Sequence, residues 1–219
     1  MRGAKNSDLL ARLGLAAWFL FLEYAAIKGL AAYAAGSGGA PQALIIANLL
    51  ARSATVLFSA VVIMMVIIRM PPLQKTAGVP ARLVAFMGSF LMVTLLLFPA
   101  HAVSPSVGIL SAILICLGNS LSAVALFRLG RSFSIMAEAR KLVTNGPFSL
   151  IRHPLYVAEE LAVVGAFLQY ASPWTALLLI AHGAMQLCRM KYEERVLDRT
   201  FPEYAAYAQR TARVLPYVY

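Results

Sequence analysis

Charged side chains are scarce in this chain. They make up 13% of its 219 residues, whereas soluble domains carry about 25%, so an ordinary water-soluble domain is excluded. Acidic residues are the rarest, with nine Asp and Glu against 19 Lys and Arg. Cysteine is nearly absent. Cys116 and Cys188 both fall in apolar stretches, where Cys acts as a small hydrophobe, and two isolated cysteines make neither a disulfide framework nor a metal site. No G-x-G-x-x-G follows a predicted strand, so the Rossmann route to a nucleotide cofactor is excluded; GSGG at 36–39 reads as an outer loop. Internal repeats and low-complexity runs are also missing.

Apolar sequence is what the chain has in excess: 61% of residues are hydrophobic and the mean hydropathy is +0.76. Apolar segments at 9–35, 43–69, 82–103, 107–129, 154–170 and 173–190 read as membrane helices. The last two, about 17 and 18 residues long, are near the lower limit for spanning, and we expect them to cross as a hairpin. The fold expected is an all-α integral membrane protein, a bundle of five to six transmembrane helices ending in a helical hairpin. A cytoplasmic C-terminal helical segment follows. AAYAAG at 31–36 resembles a cleavage point, but the apolar run before it is too long for a signal peptide and carries Glu23 and Lys28, so it reads as a retained span.

The position of the basic residues gives the orientation. Loops at 36–42, 99–106 and 171–172 contain no Lys or Arg. Arg2, Lys5, Arg12, Arg69, Lys75, Arg82, Arg128, Arg131, Arg140, Lys141, Arg152 and the basic tail fall on the other side. By the positive-inside rule both termini and the two large loops are cytoplasmic. The net charge of +10 therefore reads as topology and contact with anionic lipid, with no nucleic-acid partner.

Proline and polar residues punctuate the bundle. Pro71-Pro72 closes the second segment, Pro99 and Pro105 bracket the turn after the third, and Ser172-Pro173 reads as an N-cap followed by Pro at the first helical position. In the tail, Thr200 and Glu203 have capping-box spacing. Leu197, Phe201, Tyr204 and Ala208 give that segment an apolar face, to be packed on the bilayer surface or on the protein body. Glu23 and Arg52 fall at comparable depths, which permits an interhelical ion pair; with Lys28 they could instead line a polar path, as in a transporter.

The stretch NGPFSLIRHPLYVAEE, residues 145–160, is unexpected in so apolar a chain. Pro154 fits the first position of a helix on which Tyr156, Glu159, Glu160 and Val163 share a face, and the carboxylates suit a helix start. At the other end of the hairpin, CRMKYEERVLDR at 188–199 brings an Arg189–Glu193 i,i+4 pair, which alone reads as a solvated helix exit. A short turn at 171–172 returns 152–160 and 189–194 to one cytoplasmic end. Arg, His, Tyr and Glu groups then converge at a membrane–water boundary, suited to a ligand with a charged body and an apolar partner.

These residues resemble a known family. LGRSFS (129–134), EARKLVTNGPF (138–148), RHPLY (152–156) and EE…FPEYAAYAQRTARVLP (193–216) are similar to the isoprenylcysteine carboxyl methyltransferases. Those are integral membrane enzymes related to the phospholipid methyltransferases. The likeness covers about residues 128–216, and divides a single membrane domain, 1–219, into N-terminal transmembrane helices (1–106) and a methyltransferase-like core (107–219). It implies S-adenosyl-L-methionine as cofactor, held by the backbone around Leu142, Val143 and Gly146 together with Arg152, His153, Tyr156 and Glu193. It implies Arg189 as the clamp on the acceptor, with Glu194 as its orienting partner, and no metal. The acceptor would be lipid-like, a prenylated cysteine carboxylate or another isoprenoid acid, reached at the cytoplasmic face. A lipid headgroup amine is the alternative acceptor, with Glu160 or Glu194 as general base, and a transporter-like bundle or an inactive scaffold of the same fold are the readings without catalysis. Ala158 stands where the family commonly has Gly and is expected to tighten the cofactor pocket; Phe148 and Pro202 also depart from the usual Tyr and Gly. Oligomeric state is not legible.

Overall fold

The computed structural model describes residues 2–36, 38–75 and 78–216. Ser37 and the side chains of Arg2 and Lys5 lie outside the described residues. The order of elements is α1 (Arg2–Gly36), α2 (Gln42–Ile68), β1 (Gln74–Lys75), α3 (Val79–Phe90), α4 (Pro105–Leu129), β2 (Glu138–Ala139), α5 (Pro154–Phe167), α6 (Pro173–Thr200) and α7 (Tyr204–Arg210). The all-α membrane fold expected from hydropathy is present, and the chain is a multi-pass membrane protein. Four helical stretches among the described residues are long and apolar enough to cross a bilayer: Arg12–Gly36, Gln42–Ile68, Val79–Leu97 and Pro105–Ser132.

The hairpin of α5 and α6 is asymmetric. α5 has 14 residues and is about 21 Å long, short of a hydrocarbon core of about 30 Å. α6 has 28 residues and continues beyond the apolar segment at 173–190 into the polar cluster. Its start is as the sequence indicates: the Ser172 hydroxyl accepts from the Thr175 amide at 3.2 Å, and the Thr175 hydroxyl accepts from the Ser172 amide at 2.9 Å, a closed capping box.

Small residues set the packing of α4 on α5. A Cβ placed on Gly118 would lie 2.4 Å from the Ala162 amide nitrogen, and one on Gly165 would lie 2.8 Å from the Ser111 carbonyl oxygen. In a bilayer, where apolar surface is covered by lipid in any case, such close approach between helices is what holds them. Ser111 adds a hydrogen bond to the Gly165 carbonyl at 2.7 Å. Val62, Met65 and Val66 of α2 pack with Ala123 and Leu126 of α4 and with Leu155 of α5 in the buried core.

The structure refines one local reading and corrects two. The third span changes from α-helix to 3-10 helix over Leu91–Leu97, where the Thr94 hydroxyl donates to the Leu91 carbonyl at 2.6 Å. Glu23 and Arg52 do not pair. The Glu23 carboxylate accepts from Ser59, while Arg52 donates to the Gly29 carbonyl at 3.4 Å and lies over the Tyr33 ring. These contacts define an antiparallel register in which Glu23 and Gly29 sit opposite Ser59 and Arg52, so the two charges are offset by about 9 Å along the helix axes. Finally, Thr200 and Glu203 form no capping box. Thr200 ends α6 and donates to the Val196 carbonyl at 2.6 Å, because Phe201 precedes Pro202 and is held extended at φ −120°, ψ 110°.

The loops that follow α2 and α4 are stitched together. β1 pairs antiparallel with β2, and the Leu73 amide donates to the Ala139 carbonyl at 2.8 Å. α7 buries Tyr204 and Tyr207, and Tyr207 donates its hydroxyl to the Phe148 carbonyl at 2.7 Å. The apolar face of the tail therefore packs on the protein body.

Candidate active site

Pro154 starts α5 because its fixed φ suits a first helical turn and its missing N–H is not needed there. The two residues before it are tied to the tail: the Arg152 amide donates to the Ala212 carbonyl at 2.8 Å, and the His153 amide to the Arg213 carbonyl at 3.2 Å. The polar stretch thus enters the bundle with its backbone satisfied and its side chains directed to α6.

Two clusters result. In the first, Glu194 accepts from Arg152 Nε at 2.9 Å, from Arg213 Nη2 at 2.6 Å and from His153 Nε2 at 3.1 Å. Arg152 also donates through Nη1 to the carbonyls of Ala208 and Thr211. Burial alone would push the Glu194 carboxyl up, but hydrogen bonds and charge from His153, Arg213 and Arg152 outweigh it and hold the group well below the usual carboxylate range. Burial pushes the nearby Tyr207 hydroxyl up to about 12. This cluster locks 152–153, α6 and the tail together.

The second cluster faces a cavity of about 420 Å³. Tyr156 donates to Glu193 Oε2 at 2.7 Å and carries the Arg189 guanidinium over its ring at 4.9 Å. Arg189 Nη1 donates to Gln186 Oε1 at 2.7 Å, and Nη2 to the Ile135 carbonyl at 3.2 Å. Gln186 Nε2 donates to Glu159 Oε2 at 3.2 Å. His182, Gln186, Arg189 and Glu193 recur at helical spacing on one face of α6, opposite Tyr156 and Glu159 of α5. Beyond this polar wall the same cavity is apolar, lined by Phe19, Leu22, Phe58, Val62, Met92 and Val93.

Arg152, His153, Tyr156, Glu193 and Arg189 therefore all line this cavity. Leu142 and Val143 line a smaller one of about 50 Å³. Glu138, Phe148, Arg152, His153 and Glu193 border both. Gly146 borders neither; it takes a positive φ of 61° that favours glycine and packs against Arg128. Glu194 points away from Arg189 into the first cluster and borders neither cavity, as does Glu160, whose Oε1 lies 2.9 Å from His182 Nδ1. The carboxylates considered as a general base, Glu160 and Glu194, are thus both turned away, while their neighbours Glu159 and Glu193 face the cavity. Arg189 and Glu193 form no direct pair, since each uses Tyr156. Ala158 does not tighten the pocket: it is buried against α4, its carbonyl oxygen 2.7 Å from where a Gly118 Cβ would be. Glu23, Lys28 and Arg52 border neither cavity.

Sequence reasoning passed over Gln186 and His182, and placed Glu159 on the face of Tyr156 without giving it a role. Helical spacing from Arg189 and from Tyr156 was the available signal. Gly88 of α3, which also lines the cavity, had none.

Comparison with known proteins adds a class to this geometry. Residues 107–204 match the family model described as phospholipid methyltransferase. Protein-S-isoprenylcysteine O-methyltransferase B of Arabidopsis thaliana is 32% identical over 112 residues, 48% of this chain and 57% of that protein. The cobalt-zinc-cadmium resistance protein CzcN of Cupriavidus metallidurans is 39% identical over 111 residues, 48% of this chain and 50% of that protein. The nickel-cobalt-cadmium resistance protein NccN of Alcaligenes xylosoxydans xylosoxydans is 38% identical over 80 residues, 36% of this chain and 38% of that protein. The chain thus spans about half the length of these relatives or somewhat less or more. Over residues 107–204 the chain is thus similar to the phospholipid methyltransferases, the likeness its motifs led us to expect.

Proposed function

We propose that this protein transfers a methyl group from S-adenosyl-L-methionine to a membrane-borne acceptor at the cytoplasmic interface. The acceptor this reading favours is the carboxylate of a prenylated cysteine or a similar isoprenoid acid. The observation that carries the reading is the place of Arg189: one cavity has Tyr156, Glu159 and Glu193 on its polar wall, apolar residues of α1, α2 and the 3-10 segment beyond, and the guanidinium at their border.

The residues present fit such a donor. A cavity of about 420 Å³ is within the range of ~300–1,000 Å³ usual for small-ligand sites. Glu193, oriented by Tyr156, offers a carboxylate to a cationic group, and His153 with Phe148 closes the side toward Leu142 and Val143. When bound, S-adenosyl-L-methionine supplies a methyl group made electrophilic by its sulfonium. The chain's task is then to orient the two reactants in line and exclude water. Arg189 retains N–H groups beyond those given to Gln186 and Ile135, and a planar guanidinium holds a carboxylate with two hydrogen bonds. A carboxylate acceptor is ionised at neutral pH, so no base is required.

Methylation of a lipid amine is the second reading, favoured by Glu159, whose carboxylate faces the cavity beside Arg189 and could take the proton that an amine must lose. Incubation of the purified protein with radiolabelled donor and, separately, an S-farnesylated cysteine or phosphatidylethanolamine tests both. Label in a base-labile ester of the first supports the carboxylate reading, and label on the amine of the second replaces it.

A further inference from the structure

We propose that α3, which lies outside the segment shared with the methyltransferase family, positions Arg189 through Gly88 and His182. The proposal rests on the reading above only for what Arg189 does.

A Cβ placed on Gly88 would lie 2.4 Å from Arg189 Cδ, 3.1 Å from Gln186 Oε1 and 3.4 Å from Arg189 Cγ. The arginine stem therefore runs over the bare backbone of α3, along a path that any larger residue at 88 closes. The carbonyl of the same glycine is bonded by His182 Nε2 at 3.1 Å. Gly88 sits just before α-helix gives way to 3-10 helix at Leu91, and a change from i→i+4 to i→i+3 bonding leaves a carbonyl over. His182 supplies the partner. Its other nitrogen faces Glu160 at 2.9 Å, so the imidazole, 3% exposed, is held between α3 and α5.

One turn further along α6, Gln186 bridges Arg189 and Glu159. Gly88, His182 and Gln186 thus form a ladder that fixes the depth at which α6 presents the guanidinium. Ser89, Met92, Val93 and Leu96, which continue from Gly88, line the same cavity. The N-terminal helices consequently set both where Arg189 stands and what apolar surface faces it. Gly88 and His182 are positioning residues.

The reactivity of Arg189 toward phenylglyoxal, read by mass spectrometry on the full chain in lipid nanodiscs, tests this without knowledge of the acceptor. In Gly88→Ala and in His182→Leu, Arg189 should be modified about fivefold faster than in wild type, equivalent to about 1 kcal/mol. Arg152, held by Glu194, serves as the internal reference and should not change. His182→Gln, whose amide can still donate to the Gly88 carbonyl, should restore the wild-type rate at Arg189. Unchanged Arg189 reactivity in folded Gly88→Ala or His182→Leu protein overturns the proposal, and so does an equal rise at Arg152 and Arg189, which marks general loosening. Should Gly88→Ala fail to fold, the His182 pair decides. S-adenosylhomocysteine binding is measured on the same samples: its absence in wild type counts against the methyltransferase reading, while the arginine rates still judge the positioning.

Discussion

Replacing Glu194 by Gln should destabilise the protein strongly. The side chain is 13% exposed and receives hydrogen bonds from Arg152, His153 and Arg213. Gln keeps the shape but removes the negative charge on which Arg152 and Arg213 converge. Removal of one partner from a largely buried ion pair costs about 3–5 kcal/mol. Part of that is relieved here by solvent at Arg213, 21% exposed, so about 3 kcal/mol is expected, or a fall in Tm of about 6–12 °C for a domain of this size. Acid should affect wild type and variant differently. Because the folded protein holds the Glu194 carboxyl below its ordinary range, its contribution is full above that range. It is lost as the pH falls through the range toward the depressed value. Thermal unfolding followed by size-exclusion chromatography in detergent between pH 7 and acid gives both quantities. A Tm within about 1 °C of wild type, or an acid limb equally steep in both proteins, would refute the assignment of Glu194 as the hub of this clasp.

Arg189→Lys should retain S-adenosylhomocysteine binding while turnover of a carboxylate acceptor falls roughly 10- to 150-fold, the worth of one charge-assisted hydrogen bond; steady-state kinetics with an S-farnesylated cysteine checks it. Gly118→Ala should destabilise the bundle by about 1–3 kcal/mol, because the new methyl meets the α5 backbone at Ala162 and Ala158. A thermal shift in detergent reads that loss, and an unchanged Tm would show that α4 and α5 can part at little cost.

Much of the architecture is legible in the sequence because it follows from local chemistry. Long apolar runs give the helices, Ser172-Pro173 starts α6, Pro154 starts α5, and the short turn between them forces 152–160 and 189–194 together. What is not legible depends on register between elements. Counted from the turn at 36–42, Glu23 and Arg52 fall at comparable depths, yet the packed register offsets them and gives each a different partner. The pair of glutamates at 193 and 194 divides between two clusters because adjacent helical residues point about 100° apart, so one faces the cavity and the other the tail. Glu159 and Glu160 divide in the same way, toward the cavity and toward His182. The role of Gly88 depends on a helix that the family motifs do not reach.

The central claim, that one cavity holds a cationic methyl donor against Glu193, is tested most directly by calorimetric titration of the purified protein with S-adenosylhomocysteine, beside Tyr156→Phe and Glu193→Ala. The account predicts saturable binding by wild type, about tenfold weaker binding by Tyr156→Phe, which loses one hydrogen bond to a charged group, and none measurable by Glu193→Ala. Folded wild-type protein that binds nothing, or a Glu193→Ala variant that binds as tightly as wild type, would contradict it.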